Sequence, residues 1–273
     1  MKYFKRQLLD SESVGDVDFI QRRSASLAKL SEASDFRSLS RRWLREAGDY
    51  GYFYNFDWLG RPIIQVPHDI YAIQEIIWEV KPDLIIETGV ARGGSLVLSA
   101  SLLALIDYCQ AVEQERPQLS LQSSRQVLGI DIDIRDVNRQ GIENHPLRNL
   151  ITLYEGSSVD EVTARYVERF VKNFKNILVI LDSNHTKDHV LRELEIYAPL
   201  VTVGSYCIVM DTSIDLLPAE AIIDRPWGPT NNPRLAVKEF LERDSFKTLF
   251  AVDKTIEDKI MVTGAIDGFL KRF

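Results

Sequence analysis

The stretch that decides the fold is LIIETGVARGGS, residues 84–95. A short apolar run ends in Glu87, and Gly89, Gly93 and Gly94 follow before the next apolar, helix-like segment. In open parallel sheets, ligands bind at the carboxyl ends of the strands. Glycine lets backbone N–H groups approach such a ligand, and the N-terminus of the helix adds partial positive charge. The stretch therefore predicts a buried strand, a binding loop and a helix.

The spacing of the glycines separates this loop from two common phosphate-binding loops. The pattern ExGxxxGGS has neither the glycine spacing of the dinucleotide fingerprint nor the lysine of the P-loop. An acidic residue in the loop would repel a pyrophosphate, but it suits a cationic ligand such as the amino-acid end of S-adenosylmethionine (SAM). The second strand ends in Asp131, where an acidic side chain can bind ribose hydroxyls. Tight packing of strand against helix is an alternative reason for the glycines.

Strands and helices alternate along most of the chain, which predicts an α/β fold with a mainly parallel sheet. The last two predicted strands have no predicted helix between them, so they are expected to pair antiparallel or to lie apart. Residues 60–62 predict a turn. The predicted strands are residues 84–87, 126–133, 150–156, 176–182, 205–211, 247–253 and 259–264, and the predicted helices are residues 69–80, 94–109, 159–171, 188–198 and 232–243.

Residues 1–60 differ from the rest of the chain. They combine polar helical patterns with an aromatic cluster at residues 50–58 and predict an N-terminal extension, which leaves residues 61–273 as the main domain. The chain has 273 residues and a net charge of −7, which argues against a nucleic-acid-binding surface. Two cysteines without a CxxC pair favour a reducing cytoplasm. The start of the chain lacks the apolar core of a secretory signal, and the apolar stretch at residues 96–106 is too short to span a bilayer.

Polar side chains end two further strands. Asp182 and His185 follow the fourth predicted strand, and Asp211 ends the fifth. Two carboxylates suit Mg²⁺, and a histidine beside a metal-bound hydroxyl can take its proton. Structural roles are the alternative, because Asp182 could cap the following helix. A zinc site at His185 and His189 is a weaker alternative, since no HExxH pattern is present.

Five segments together resemble a known family. They are residues 58–69, 82–95, 129–133, 181–211 and 231–241. The chain resembles the cephalosporin hydroxylase-like and rhamnosyl O-methyltransferase family, which is related to macrolide-sugar O-methyltransferases. The resemblance implies a Rossmann-like class I methyltransferase fold with a seven-stranded, mostly parallel sheet and one antiparallel strand. It implies His185 and Asp182 as catalytic residues, Mg²⁺ at Asp182 and Asp211, and a SAM site at Glu87, Gly89, Arg92, Gly93, Ser95, Asp131, Ser157, Ser158 and Asp182.

One residue departs from the family pattern. The fifth strand ends in Met210-Asp211 where the family has Glu-Asp, and a thioether is a poor ligand for Mg²⁺. Metal would then be held by Asp182 and Asp211 with more water, or Asp215 would substitute, or metal dependence would be lost.

The function that follows is SAM-dependent methylation of a hydroxyl, as on a sugar of a natural product or glycolipid. The acceptor is a small molecule or a glycosylated compound, with its pocket expected at residues 50–58 and 213–232, where Trp227 could stack on a sugar ring. The resemblance also implies a homo-oligomer. The alternatives are a non-catalytic SAM-binding or partner protein and a metal-dependent oxygenase. The oxygenase is less favoured, because the chain lacks the HxD motif of a 2-His-1-carboxylate site.

Overall fold

The computed structural model of the chain describes residues 14–115, 123–217 and 224–273. Two helices, α1 (Val14–Glu32) and α2 (Ser34–Asp49), precede an antiparallel hairpin of β1 (Phe56–Trp58) and β2 (Arg61–Ile63). The remaining elements alternate along the chain as α3 (Pro67–Val80), β3 (Leu84–Thr88), α4 (Gly94–Glu113), β4 (Gln126–Asp131), α5 (Asp136–Glu143), β5 (Ile151–Glu155), α6 (Glu161–Phe170), β6 (Ile177–Leu181), α7 (Lys187–Tyr197), β7 (Tyr206–Val209), α8 (Pro233–Glu242), β8 (Phe250–Val252), α9 (Lys254–Ile260) and β9 (Phe269–Arg272).

The main sheet has seven strands in the order β5-β4-β3-β6-β7-β9-β8. The pairs from β5 to β7 are parallel, and β9 is antiparallel to both β7 and β8. The predicted seven-stranded sheet with one antiparallel strand is therefore confirmed. The chain moves outward from β3 to β5 and then returns to place β6 on the other side of β3. This reversal of strand order leaves a crevice at the carboxyl ends of β3 and β6, where ligands bind in open α/β sheets.

Strands β3 and β6 form the centre of the protein. All residues of both strands are buried, and alternate side chains enter two apolar clusters on opposite faces of the sheet. Helices α3 and α4 contribute to one cluster, and α6, α7 and α8 contribute to the other. Burial on both faces explains why these strands are continuous apolar runs without alternation. This buried centre fixes the positions of the residues that follow β3 and β6.

Helix α4 has 20 residues, more than the predicted 94–109. Among the described residues it is one helix that is long and apolar enough, by length and composition, to cross a membrane. A core helix passes the same test, and α4 packs against β4 and the β1–β2 hairpin with eleven of its residues buried. The prediction of a buried helix is confirmed.

Two local predictions are wrong, and helix α5 was not predicted. Residues 259–264 do not form a strand, because Asp253 accepts a hydrogen bond from the Thr255 N–H and begins helix α9, so the last strand lies further on. The turn lies at Leu59-Gly60, whose positive φ angles suit a two-residue hairpin, and residues 61–62 belong to β2. Helix α5 was missed because it is mostly polar, with only Asn138 and Ile142 buried.

The N-terminal extension packs on helices α9 and α3 of the main domain through specific contacts. Arg37 of α2 forms an ion pair with Asp258 at 2.8 Å, and Leu44 is buried. Trp43 makes edge-to-face contacts with Tyr52 and His68, whose ring centroids lie 5.4 Å and 6.3 Å away. The aromatic cluster thus joins α2 to the start of α3. The boundary at residue 60 stays a prediction.

Candidate active site

The loop between β3 and α4 presents one buried acid. Glu87 is fully buried, and the Ser95 hydroxyl donates a short hydrogen bond to its Oε1. Its Oε2 is also buried and has no hydrogen-bond partner. Burial raises the pKa of Glu87 to about 7, and the bond from Ser95 lowers it in part. A buried carboxylate oxygen without a partner fits a cationic group of a ligand.

The three glycines of the loop have packing roles of their own. Gly89 has a φ of +92°, and a Cβ there would lie 2.1 Å from the carbonyl oxygen of Asp182. A Cβ on Gly93 would meet the Ile142 side chain at 2.5 Å, and one on Gly94 would meet the Pro62 carbonyl oxygen at 2.3 Å. Close contacts within the protein therefore account for these glycines without a ligand. These contacts do not test whether the same glycines also approach a ligand.

Asp131 ties the end of β4 to the same loop. Its Oδ2 accepts hydrogen bonds from the N–H groups of Val90 at 2.8 Å and Ala91 at 3.3 Å, and its Oδ1 accepts one from Asp133 at 3.2 Å. Arg92 is exposed beside it, and its carbonyl oxygen accepts hydrogen bonds from the Arg61 guanidinium. The acid predicted to hold a ribose thus also orders the glycine loop.

The serines after β5 belong to a second polar network. The Oγ of Ser158 is hydrogen-bonded to Nε2 of His189 at 3.0 Å, and the same nitrogen lies 3.3 Å from the Ser183 hydroxyl. Ser183 donates to Oε1 of the buried Glu193 at 2.6 Å. Ser157 is half-buried next to this network. His189 belongs to this network and not to the group of possible metal ligands that contains His185 among the described residues.

The predicted acids and histidine after β6 and β7 come together. The ligand atoms of Asp182, His185 and Asp211 all lie within 4.8 Å of one another, and these are the residues grouped for metal binding in the described part of the chain. His185 Nε2 lies 3.3 Å from Asp211 Oδ2. Burial raises the pKa of Asp182 well above its usual range, and the negative charges of Asp211 and Glu87 raise it further. Such a cluster of carboxylates fits a cation that would relieve the repulsion.

Two residues near this cluster bear on the metal. Met210 is 5% exposed and packs in one of the apolar core clusters, and its thioether is a poor ligand for Mg²⁺. Asp215 is held by Arg234 at 2.7 Å and by the Asn232 amide. It is absent from the group formed by Asp182 and its neighbours, so the alternative that Asp215 substitutes is wrong.

A cavity of about 450 Å³ opens above Asp182, His185 and Asp211. The His185 ring meets Trp227 edge to face, with ring centroids 5.5 Å apart and an interplanar angle of 76°. Both predicted acceptor segments contribute to the lining, although residues 218–223 of the second lie outside the described residues. Besides His185, the aromatic and basic members of the lining are Arg45, Phe53, Tyr54, Arg225 and Trp227.

The cavity also contains two polar residues that the sequence analysis missed. Gln65 and Asp69 line it from the start of α3, and both are buried. Both residues fall within residues 58–69, one of the segments that carry the family resemblance, and Asp69 is an acid in the first turn of an amphipathic helix. That position also suits an ordinary helix N-terminus, so the pattern alone carried no functional information.

Comparisons with known proteins agree on one family. The family profile described as Rhamnosyl O-methyltransferase/CmcI matches residues 50–273. The curated rhamnosyl O-methyltransferase of Mycobacterium tuberculosis is 29% identical over 208 residues, which cover 75% of this chain and 73% of that protein. The one from Mycobacterium leprae is 27% identical over 216 residues, which cover 79% and 82%.

A solved structure shows the same fold. The Mg-SAM form of CmcI superposes with a TM-score of 0.53 at 21% identity, covering 81% of this chain and 78% of the other. At this identity the likeness supports the fold, and the match to the family profile over residues 50–273 supports the family. The chain therefore belongs to the rhamnosyl O-methyltransferase/CmcI family of SAM-dependent O-methyltransferases.

Proposed function

We propose that this chain transfers a methyl group from SAM to a hydroxyl of a sugar or sugar-bearing small molecule. The observation that carries the proposal is the group of Asp182, His185 and Asp211 at the base of a cavity of about 450 Å³. The carbonyl of Asp182 contacts Gly89, so this group adjoins the loop that carries the buried Glu87. A cofactor loop and an acceptor cavity thus meet at one pair of strand ends.

The residues proposed to hold SAM surround the ends of β3, β4 and β5. Glu87 would accept from the amino group through its unpartnered Oε2, and Ser95 would hold the other oxygen of that carboxylate. Asp131 would bind the ribose through Oδ1, which carries a single backbone hydrogen bond. Bound SAM supplies an electrophilic methyl group. The other proposed members of the site are Gly89, Arg92, Gly93, Ser157, Ser158 and Asp182.

His185 is proposed to take the proton of the acceptor hydroxyl. Its ring lies at the cavity, and the Asp211 carboxylate 3.3 Å from Nε2 stabilises the imidazolium that forms. The O–H bond of the acceptor breaks, the proton moves to the ring, and the acceptor oxygen becomes the nucleophile. Trp227 holds the ring from the side through its edge-to-face contact. Orientation of the acceptor supplies much of the rate, because SAM is already reactive.

Asp182 and Asp211 are proposed to hold Mg²⁺, with water completing the shell because Met210 offers no oxygen. A bound cation would lower the pKa of an acceptor hydroxyl. Met210 is also the observation that favours the second candidate, a member that binds SAM without catalysing transfer. Cytoplasmic location, a homo-oligomer and the domain boundary at residue 60 remain predictions.

Calorimetric titration of SAM, with Mg²⁺ and again with EDTA, tests the cofactor site. Transfer of labelled methyl from SAM to a panel of methyl glycosides, including methyl α-rhamnopyranoside, tests the activity. We expect SAM binding in both titrations and transfer that Mg²⁺ accelerates. Failure to bind SAM in either condition would refute the proposal, whereas binding without transfer to any glycoside would favour the non-catalytic candidate.

A further inference from the structure

Two buried oxygens on one wall of the acceptor cavity have no hydrogen-bond partner. They are Oε1 of Gln65 and Oδ1 of Asp69. Gln65 is 6% exposed and Asp69 is 0% exposed, and both residues line the cavity that contains Asp182, His185 and Asp211. Buried polar atoms normally find partners, so two unpartnered acceptors on the same wall call for an explanation.

The Asp69 carboxylate is held in place on one side only. Its Oδ2 accepts a hydrogen bond from the Gly264 N–H at 2.8 Å, which leaves Oδ1 for another donor. Burial raises the pKa of Asp69 to about 7, while the neighbouring Thr263 hydroxyl and the Gly264 N–H lower it in part. Asp211 lines the same cavity, and its negative charge raises this pKa further. A donor supplied by a ligand would relieve the burial of Oδ1.

Gln65 connects the same wall to the reacting centre. Its Nε2 donates a long hydrogen bond to Asp182 Oδ2 at 3.4 Å, and its Oε1 has no donor. An amide oxygen and the oxygens of an ionised carboxylate accept hydrogen bonds and do not donate them. A ligand that satisfies these two oxygens must therefore bring hydrogen-bond donors, and in a sugar the donors are hydroxyl groups. The aromatic side chains of Phe53 and Trp227, which also line the cavity, suit the apolar face of a sugar ring.

We propose that Gln65 and Asp69 are positioning residues that accept hydrogen bonds from hydroxyls adjacent to the one that is methylated. Because each hydroxyl has one proton to donate, the acceptor of this enzyme then carries at least three neighbouring hydroxyls, of which two anchor the ring while the third faces His185. This inference rests on the proposed function, because it assigns the wall of the same cavity. It adds a reason why one hydroxyl of a ring would be chosen over another: a site built to bind a hydroxyl strongly rejects an analogue that lacks it.

The test compares methyl α-rhamnopyranoside with its analogues lacking one neighbouring hydroxyl. The variants are Asp69→Ala and Gln65→Leu, with Asp69→Asn as the conservative change that keeps one acceptor oxygen. Ser205→Ala is the matched control, because its hydroxyl is also buried without a partner but is not part of the cavity lining. NMR follows binding of each rhamnoside to the protein loaded with S-adenosylhomocysteine (SAH). The methyl-transfer assay gives kcat and KM, and calorimetry gives the affinity for SAM.

We expect Asp69→Ala and Gln65→Leu each to raise the KM for the rhamnoside at least tenfold and to leave SAM affinity within twofold of wild type. The preference of wild type for the full rhamnoside over a deoxy analogue should disappear in Asp69→Ala and return in part in Asp69→Asn. A purely structural role would not move that preference. Equal discrimination by wild type and variant would overturn the proposal, as would a SAM-binding wild type that does not bind the rhamnoside. Loss of SAM binding by wild type would instead show that the proposed function has failed.

Discussion

The buried carboxyl group of Glu87 predicts that SAM binding depends steeply on pH. Without ligand, burial raises the pKa of Glu87 from 4.5 to about 7. If its free Oε2 accepts from the amino group of SAM, the bound state requires the ionised carboxylate, so the pKa of Glu87 in the complex falls below 7. Binding below pH 7 must then release a proton. Affinity should rise about tenfold per pH unit up to pH 7 and level off above it.

The magnitude of the release follows from the same pKa. At pH 6 a group with a pKa of 7 is about 90% protonated, so each SAM should release about 0.9 of a proton. Calorimetry in two buffers with different ionisation enthalpies measures this number directly. Glu87→Gln should lower the number of protons released per SAM by about one. It should also abolish the roughly tenfold rise in SAM affinity per pH unit. Asp69→Asn is the control, because it removes another buried acid with a pKa of about 7 and should leave the slope unchanged.

The stability of the unliganded protein supplies an independent check. Glu87 has a higher pKa in the folded protein than in the unfolded chain. Its contribution to the free energy of unfolding is therefore complete below the unfolded pKa of 4.5 and is lost as the pH rises to 7. The shift corresponds to at most roughly 3 kcal/mol. Urea unfolding should therefore show that wild type loses more stability than Glu87→Gln between pH 5 and pH 8. Equal proton release in wild type and Glu87→Gln would refute the reasoning, because the ionisation of Glu87 would then be unrelated to SAM.

Three further predictions concern the loop, the metal and the cavity. Gly89→Ala should lower the free energy of unfolding by about 3 kcal/mol or more, since its Cβ would lie 2.1 Å from the Asp182 carbonyl oxygen. Gly204 has a φ of +82°, and no atom lies within 4 Å of an added Cβ there. In urea unfolding, Gly204→Ala should therefore lower the same free energy by only about 1 kcal/mol. Met210→Glu should tighten Mg²⁺ binding at least tenfold by calorimetry, and unchanged affinity would mean that position 210 does not face the metal. In the transfer assay, Trp227→Ala should raise the KM for the acceptor and leave the affinity for SAM unchanged. A loss of SAM affinity would contradict the proposal that the Trp227 ring contacts the acceptor.

The sequence by itself determined the fold class, and it predicted the residues Asp182, His185 and Asp211 that the structure brings together. The buried runs of β3 and β6 are apolar on both faces, as is typical of a parallel sheet covered on both sides. These strands could therefore be predicted from their own residues, without knowledge of the neighbouring strands. Asp182 and Asp211 could be predicted to meet because the carboxyl ends of neighbouring parallel strands share one edge. Local chemistry carried these inferences, since the relevant residues lie within a few positions of their strands.

The tertiary structure decided everything that depends on distant segments. The Asp69 carboxylate meets the Gly264 N–H across 195 residues, and no local pattern indicates that contact or the unpartnered oxygen beside it. Asp215 lies close to Asp211 in sequence, but Arg234 holds it elsewhere, so sequence distance gave the wrong candidate. Residues 259–264 have the apolar content of a strand, yet Asp253 caps a helix that extends to Ile260. In each case the outcome depends on which groups meet in space to satisfy charge and hydrogen bonds, and composition and periodicity do not encode that directly.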